Sequence, residues 1–182
     1  MKKPQSDFEY ISELLEDFFK QRELRKSFRI IFDREITGWE IWFQIEFARF
    51  LADHSSEPEW GREYSFQFDY RRESTRSFLK PDFIIRKKGW AKDRYVALEI
   101  KQHAKLGNCV SNMIGDLSKV AKMRKSEIDL RSYWALGIFQ TDLDLDVEAV
   151  VTTKLQESGL EYHPSVSSMN KISRTPYSYV LF

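Results

Sequence analysis

Two short runs rich in β-branched and aromatic residues constrain this chain most: Pro81-Asp82-Phe83-Ile84-Ile85 and Tyr95-Val96-Ala97-Leu98-Glu99-Ile100-Lys101. Each has the composition of a strand. The link between them, residues 87–93, is charged and carries one glycine, Gly89, as suits a hairpin loop. Side chains alternate across a strand, so Glu99 and Lys101 emerge on the face of Ala97, with Val96, Leu98 and Ile100 opposite. Asp82 opens the neighbouring strand, with Ile84 following on its own face. A suitable pairing register would gather Asp82, Glu99 and Lys101 at one end of a sheet. Two carboxylates beside an ammonium make a site for a hard cation, with a charged group ready to handle a water.

Upstream, Thr37-Gly38 opens a helix from Trp39 to about His54, on which Trp39, Trp42, Phe43, Phe47 and Phe50 form one apolar stripe. Glu46 falls near the middle of that stripe. A carboxylate in apolar surroundings is costly unless paired or bound to a cation. Glu46 therefore either pairs with Arg49 at the edge of the stripe or points into a site as a third acidic residue. Glu40, at the border of the stripe, is its rival.

The remaining elements follow from periodicity and punctuation. Ser6-Asp7-Phe8-Glu9 reads as a capping box opening a helix over 7–24, and Phe28–Phe32 as a short strand. Residues 54–59 read as a loop. Tyr64, Phe66, Phe68 and Tyr70 alternate with polar residues, which predicts the first core strand over 63–70. Residues 71–77 form a polar loop whose Arg71, Arg72 and Arg76, with Lys80, make a candidate phosphate-contacting patch. A helix is expected over 108–123 with a basic face that includes Lys119 and Lys122. Residues 132–139 are apolar almost throughout, as in a central strand covered on both faces. A helix over 145–158, a loop over 165–175 and a strand over 177–182 complete the chain.

Composition narrows the function classes. The 29 Lys plus Arg against 28 Asp plus Glu leave a formal net charge of +1, so any nucleic-acid contact must come from local patches. The single cysteine, Cys109, rules out an internal disulfide framework and fits a reducing, cytoplasmic setting. The three histidines are scattered, with no signature of a thiol nucleophile around Cys109. No apolar run approaches the roughly eighteen residues that would span a bilayer, so no membrane partner is expected.

Pro81-Asp82, sixteen intervening residues and then Glu99-Ile100-Lys101 resemble the motif of the PD-(D/E)xK nuclease superfamily. The resemblance covers about 39–139 and implies a restriction-endonuclease-like α/β fold: a single domain over 1–182 with a mixed central sheet flanked by helices. Residues 1–36 would be an N-terminal helical extension, 37–139 the core, and 140–182 a C-terminal helix and strand. These families often carry an Asp and a Lys on the helix after the motif, here Asp116 and Lys119. The resemblance implies metal-dependent hydrolysis of phosphodiester bonds, in DNA rather than RNA, with Mg²⁺ as cofactor and Mn²⁺ able to substitute. Asp82, Glu99 and the Ile100 carbonyl would bind the metal. Lys101 would position or deprotonate the attacking water, and Glu46 would tune the metal or ligate a second one. A homodimer is expected by analogy with compact nucleases that cut both strands, with the N-terminal helix as a candidate interface. The alternatives are a catalytically silent nucleic-acid-binding or protein-interaction domain of the same fold, and an ordinary α/β domain in which the pattern is accidental.

Overall fold

The computed structural model describes residues 3–67, 78–91, 94–120 and 129–182. In chain order they form α1 (Lys3–Lys20), α2 (Arg22–Asp33), α3 (Glu40–Asp53), β1 (Glu59–Arg62), β2 (Phe66–Gln67), β3 (Phe78–Leu79), β4 (Phe83–Arg86), β5 (Arg94–Gln102) and α4 (Leu106–Val120). Then come β6 (Asp129–Gln140), α5 (Val147–Glu157), a 3₁₀ turn (Pro164–Val166), β7 (Ser168–Lys171) and β8 (Tyr177–Leu181). Among the described residues six strands make one mixed sheet in the order β1-β4-β5-β6-β8-β7, and β2 and β3 form a separate pair. The expected class holds: a single α/β domain with a mixed central sheet between helices.

Alternation along the central strands divides the core. Phe83, Ile85, Val96, Leu98, Ile100, Trp134, Leu136 and Ile138 face α1, α2 and α3 in one large cluster. Ala135, Phe139 and Val180 face α4 and α5 in a second. The first cluster is dense in aromatic rings. Phe18 meets Phe43, Phe47 and Phe50 with centroids 5.3, 5.1 and 5.3 Å apart, spacings that add attraction beyond area burial. In the second, Gly137 lets α4 lie close on β6, because a Cβ there would run into Met113, Cys109 and Val180.

The helices of the N-terminal segment, α1 and α2, pack into this core. Ile11, Leu14, Leu15 and Phe18 are buried against the sheet of their own chain. The helix starts at Lys3, so Ser6 lies inside it and is not its N-cap. Asp7, fully buried, instead accepts hydrogen bonds from Arg131 (3.0 and 2.7 Å) and Ser132 (2.9 Å). Arg131 also lies 4.0 Å from the centre of the Trp90 ring. This network fixes α1 to β6, and breaking such a buried pair costs about 3–5 kcal/mol.

Three other expectations are corrected. Phe28–Phe32 is helical, part of α2, because Leu24, Phe28 and Ile31 recur at helical spacing and are all buried. The first strand of the main sheet is Glu59–Arg62, read above as partly loop, rather than 63–70. Glu63 takes a left-handed conformation (φ 52°) that ends it, and Tyr64 is 51% exposed. Phe66 begins the separate β2, and residues 68–70 lie outside the described residues. Within 165–175, expected as a loop, β7 adds an edge strand to β8.

Candidate active site

Hairpin pairing sets the site. Phe83 lies opposite Leu98 and Ile84 opposite Ala97, so β4 ends at the point where β5 still has Glu99 to Gln102 to run. Among the described residues no strand pairs with this part of the β5 edge, and side chains take over. Asp82 Oδ2 accepts from the Ile100 N–H at 2.7 Å, and Glu40 Oε2, from the first turn of α3, accepts from the Gln102 N–H at 3.3 Å. In an extended strand a residue's N–H and C=O face the same edge, so the Ile100 carbonyl points to the side where Asp82 and Glu40 lie.

On the face of the sheet next to this edge stand Glu99 and Lys101. The Lys101 ammonium donates to Glu99 Oε1 at 2.7 Å and contacts Asp116 Oδ2 of α4 at 2.9 Å. The Tyr133 hydroxyl of β6 donates to Glu99 Oε2 at 3.2 Å, and Lys119 closes the chain by pairing with Asp116. Parallel pairing of β5 with β6 makes this cluster, since it sets Ala97 beside Tyr133 and Lys101 beside Gly137.

Burial and charge act on these groups in distinct ways. Burial, then the neighbouring Glu99 charge, pushes the Asp82 carboxyl up to about 7 against the pull of the Ile100 N–H and Lys101. Burial also raises Glu99, with Asp116 adding to it and Lys101 opposing. For Lys101 burial works downward, but the hydrogen bonds and charges of Glu99 and Asp116 outweigh it and hold the ammonium protonated well above neutral pH. Asp116 stays ionised: burial raises it, and Lys119 and Lys101 more than compensate. Among the described residues of this cluster, four carboxylates (Glu40, Asp82, Glu99, Asp116) stand with two ammonium groups (Lys101, Lys119), so the described set carries two more negative than positive charges when fully ionised.

The expected residues separate into three groups. Asp82, Glu99, Ile100 and Lys101 come together. Glu46 does not join them: it pairs with Arg49 at 2.8 Å on the surface of α3. It lies six residues beyond Glu40, about 9 Å further along the helix axis, and Glu40 is the helix carboxylate that reaches the edge. Lys119 is bound to Asp116 rather than standing on an open basic face, and Lys80 is exposed two residues before Asp82. Arg71, Arg72, Arg76 and Lys122 lie outside the described residues. Sequence reasoning missed Tyr133, which it took as part of an apolar run.

Among the described residues, no three His, Cys, Asp or Glu side chains stand close enough to form a ready-made metal cage. The donor chemistry at the edge nonetheless suits Mg²⁺, which binds through one or two carboxylates and keeps several waters for itself. Asp82, Glu99 and the Ile100 carbonyl offer hard oxygen donors there. Among the described residues no helix is long and apolar enough to cross a membrane. Comparison of the chain with protein-family models, curated proteins and solved structures finds no match.

Proposed function

We propose that this chain is a Mg²⁺-dependent endonuclease that hydrolyses phosphodiester bonds in DNA. The observation that carries the reading is the meeting of Asp82, Glu99 and Lys101 at the end of β5, where among the described residues carboxylates outnumber ammonium groups. The order of elements around that edge supports it: a helix, an antiparallel β1-β4-β5 meander, a crossing helix and a parallel β6. The PD-(D/E)xK resemblance implies the same arrangement.

In this reading Asp82, Glu99 and the Ile100 carbonyl hold the ion, with Glu40 rather than Glu46 as the further acidic group. When bound, it polarises a phosphoryl oxygen and lowers the pKa of a water. Lys101, kept as an ammonium by its two carboxylate neighbours, serves as a hydrogen-bond donor to the phosphate and offsets the charge that develops there. It is thereby a poor proton acceptor, which favours the stabilising role over the deprotonating one. Asp116 and Tyr133 position Lys101 and Glu99 respectively.

One observation favours the rival of a silent domain. Both Glu99 oxygens are already satisfied within the protein, by Lys101 and Tyr133, as in a purely structural network. Incubating wild type and Lys101→Ala with plasmid, single-stranded DNA and RNA, each with Mg²⁺, Mn²⁺ or EDTA, decides between them. Metal-dependent cleavage of DNA that is lost in the variant supports the proposal. Intact nucleic acid under every condition supports the silent domain.

A further inference from the structure

Beside the candidate active site, across the end of β5, lies a cleft of about 440 Å³. That is within the range of small-molecule sites. Trp39, Tyr177 and Ile31, all buried, give it an apolar and aromatic wall, with the two rings 5.6 Å apart. Thr37, Gln102 and Gln140 add side chains that both donate and accept hydrogen bonds. His103 lines it too, with one ring nitrogen accepting from the Lys105 N–H and the other bonded to Asn108.

The charge of the lining discriminates among ligands. Among the described residues no Lys or Arg lines the cleft, and Glu35 is its charged group. A phosphate or carboxylate would meet repulsion there and find no cation. A neutral, planar heterocycle with donor and acceptor edges fits both the aromatic wall and the amide side chains, which is how proteins read unpaired bases. Position selects further. The two segments that bring Glu40 and Lys101 to the charged edge place the adjacent residues, Trp39 and Gln102, in the cleft. A polynucleotide held by its phosphate at the edge has its bases within reach of the opening.

We propose that this cleft receives one unpaired nucleobase of the strand whose phosphate lies at the Asp82–Glu99–Lys101 edge. The inference rests on the nuclease reading and narrows it. A base inside a duplex stays stacked, so the preferred substrate is single-stranded DNA or a frayed or distorted duplex end.

The test uses the full chain with Ca²⁺ in place of Mg²⁺, a hard cation that can occupy the carboxylate edge with looser geometry and so slow cleavage, and single-stranded oligonucleotides carrying 2-aminopurine at successive positions. Ala104→Leu and Thr37→Leu narrow the cleft from exposed positions, and their melting temperatures check the fold. Wild type should change the 2-aminopurine emission at one position. Each variant should abolish that change and weaken binding roughly tenfold, the scale of losing one stacked base. Unchanged affinity and emission in both folded variants overturn the cleft assignment and leave the nuclease reading in place. Failure of wild type to bind any oligonucleotide overturns both.

Discussion

Replacing Asp82 by Asn should silence the protein and stabilise it at the same time. The Asp82 carboxyl is pushed from its ordinary 3.8 to about 7 by burial and by Glu99. The folded chain therefore binds more protons than the unfolded chain between about pH 4 and pH 7, and stability falls as pH rises through that window. At about 1.36 kcal/mol per unit, Asp82 costs the fold, relative to a side chain that does not titrate, as much as about 4 kcal/mol at pH 8, where it is ionised, and about 2 kcal/mol at pH 5, where the fold holds it protonated. Asn keeps the shape and can still accept from the Ile100 N–H, but carries no charge to bury. For a chain of this size 1 kcal/mol is worth about 2–4 °C, so Asp82→Asn should melt roughly 8–16 °C higher than wild type at pH 8, with the gap about halved at pH 5. Thermal unfolding followed by circular dichroism across that range is the assay. A variant that melts lower than wild type at pH 8, or a gap that does not change with pH, would show that Asp82 carries no such burial cost.

Other perturbations have opposite signs. Lys101→Met leaves Glu99 and Asp116 facing each other without their shared ammonium. It should lose cleavage and also destabilise the fold by about 3 kcal/mol in denaturant titrations, the scale of a broken buried pair. Gly137→Ala puts a methyl against Met113, Cys109 and Val180 and should cost about 1–3 kcal/mol of stability through overpacking. Unchanged unfolding midpoints in either variant would contradict the packing described.

Much of the site was legible because it depends on local rules. The two-residue period alone puts Glu99 and Lys101 on one face of β5, and a short hairpin link leaves Asp82 few positions other than beside them. Tyr133 was not legible. It reaches Glu99 only through parallel pairing across α4, and a register between distant segments leaves no mark in either one. Glu40 and Glu46 show the same limit in a helix: periodicity says which face is apolar but not which turn lies at the end of the sheet. Among the fold elements, the five residues 28–32 were too short to distinguish strand from helix by pattern. Leu24, one turn upstream, settles the question only when the window is extended. Glu59–Arg62 has no alternation of its own and is a strand because β4 pairs with it.

If the Asp82–Glu99 edge takes a divalent cation, as proposed, the ion must stabilise the folded chain. Melting temperatures of wild type and an Asp82→Asn/Glu99→Gln double variant, with and without Mg²⁺ or Mn²⁺, measure this. Metal at ten times its Kd should stabilise wild type by about 1.4 kcal/mol through mass action, a rise of about 3–6 °C, and leave the double variant unmoved. No rise in wild type, or an equal rise in both proteins, would contradict the account.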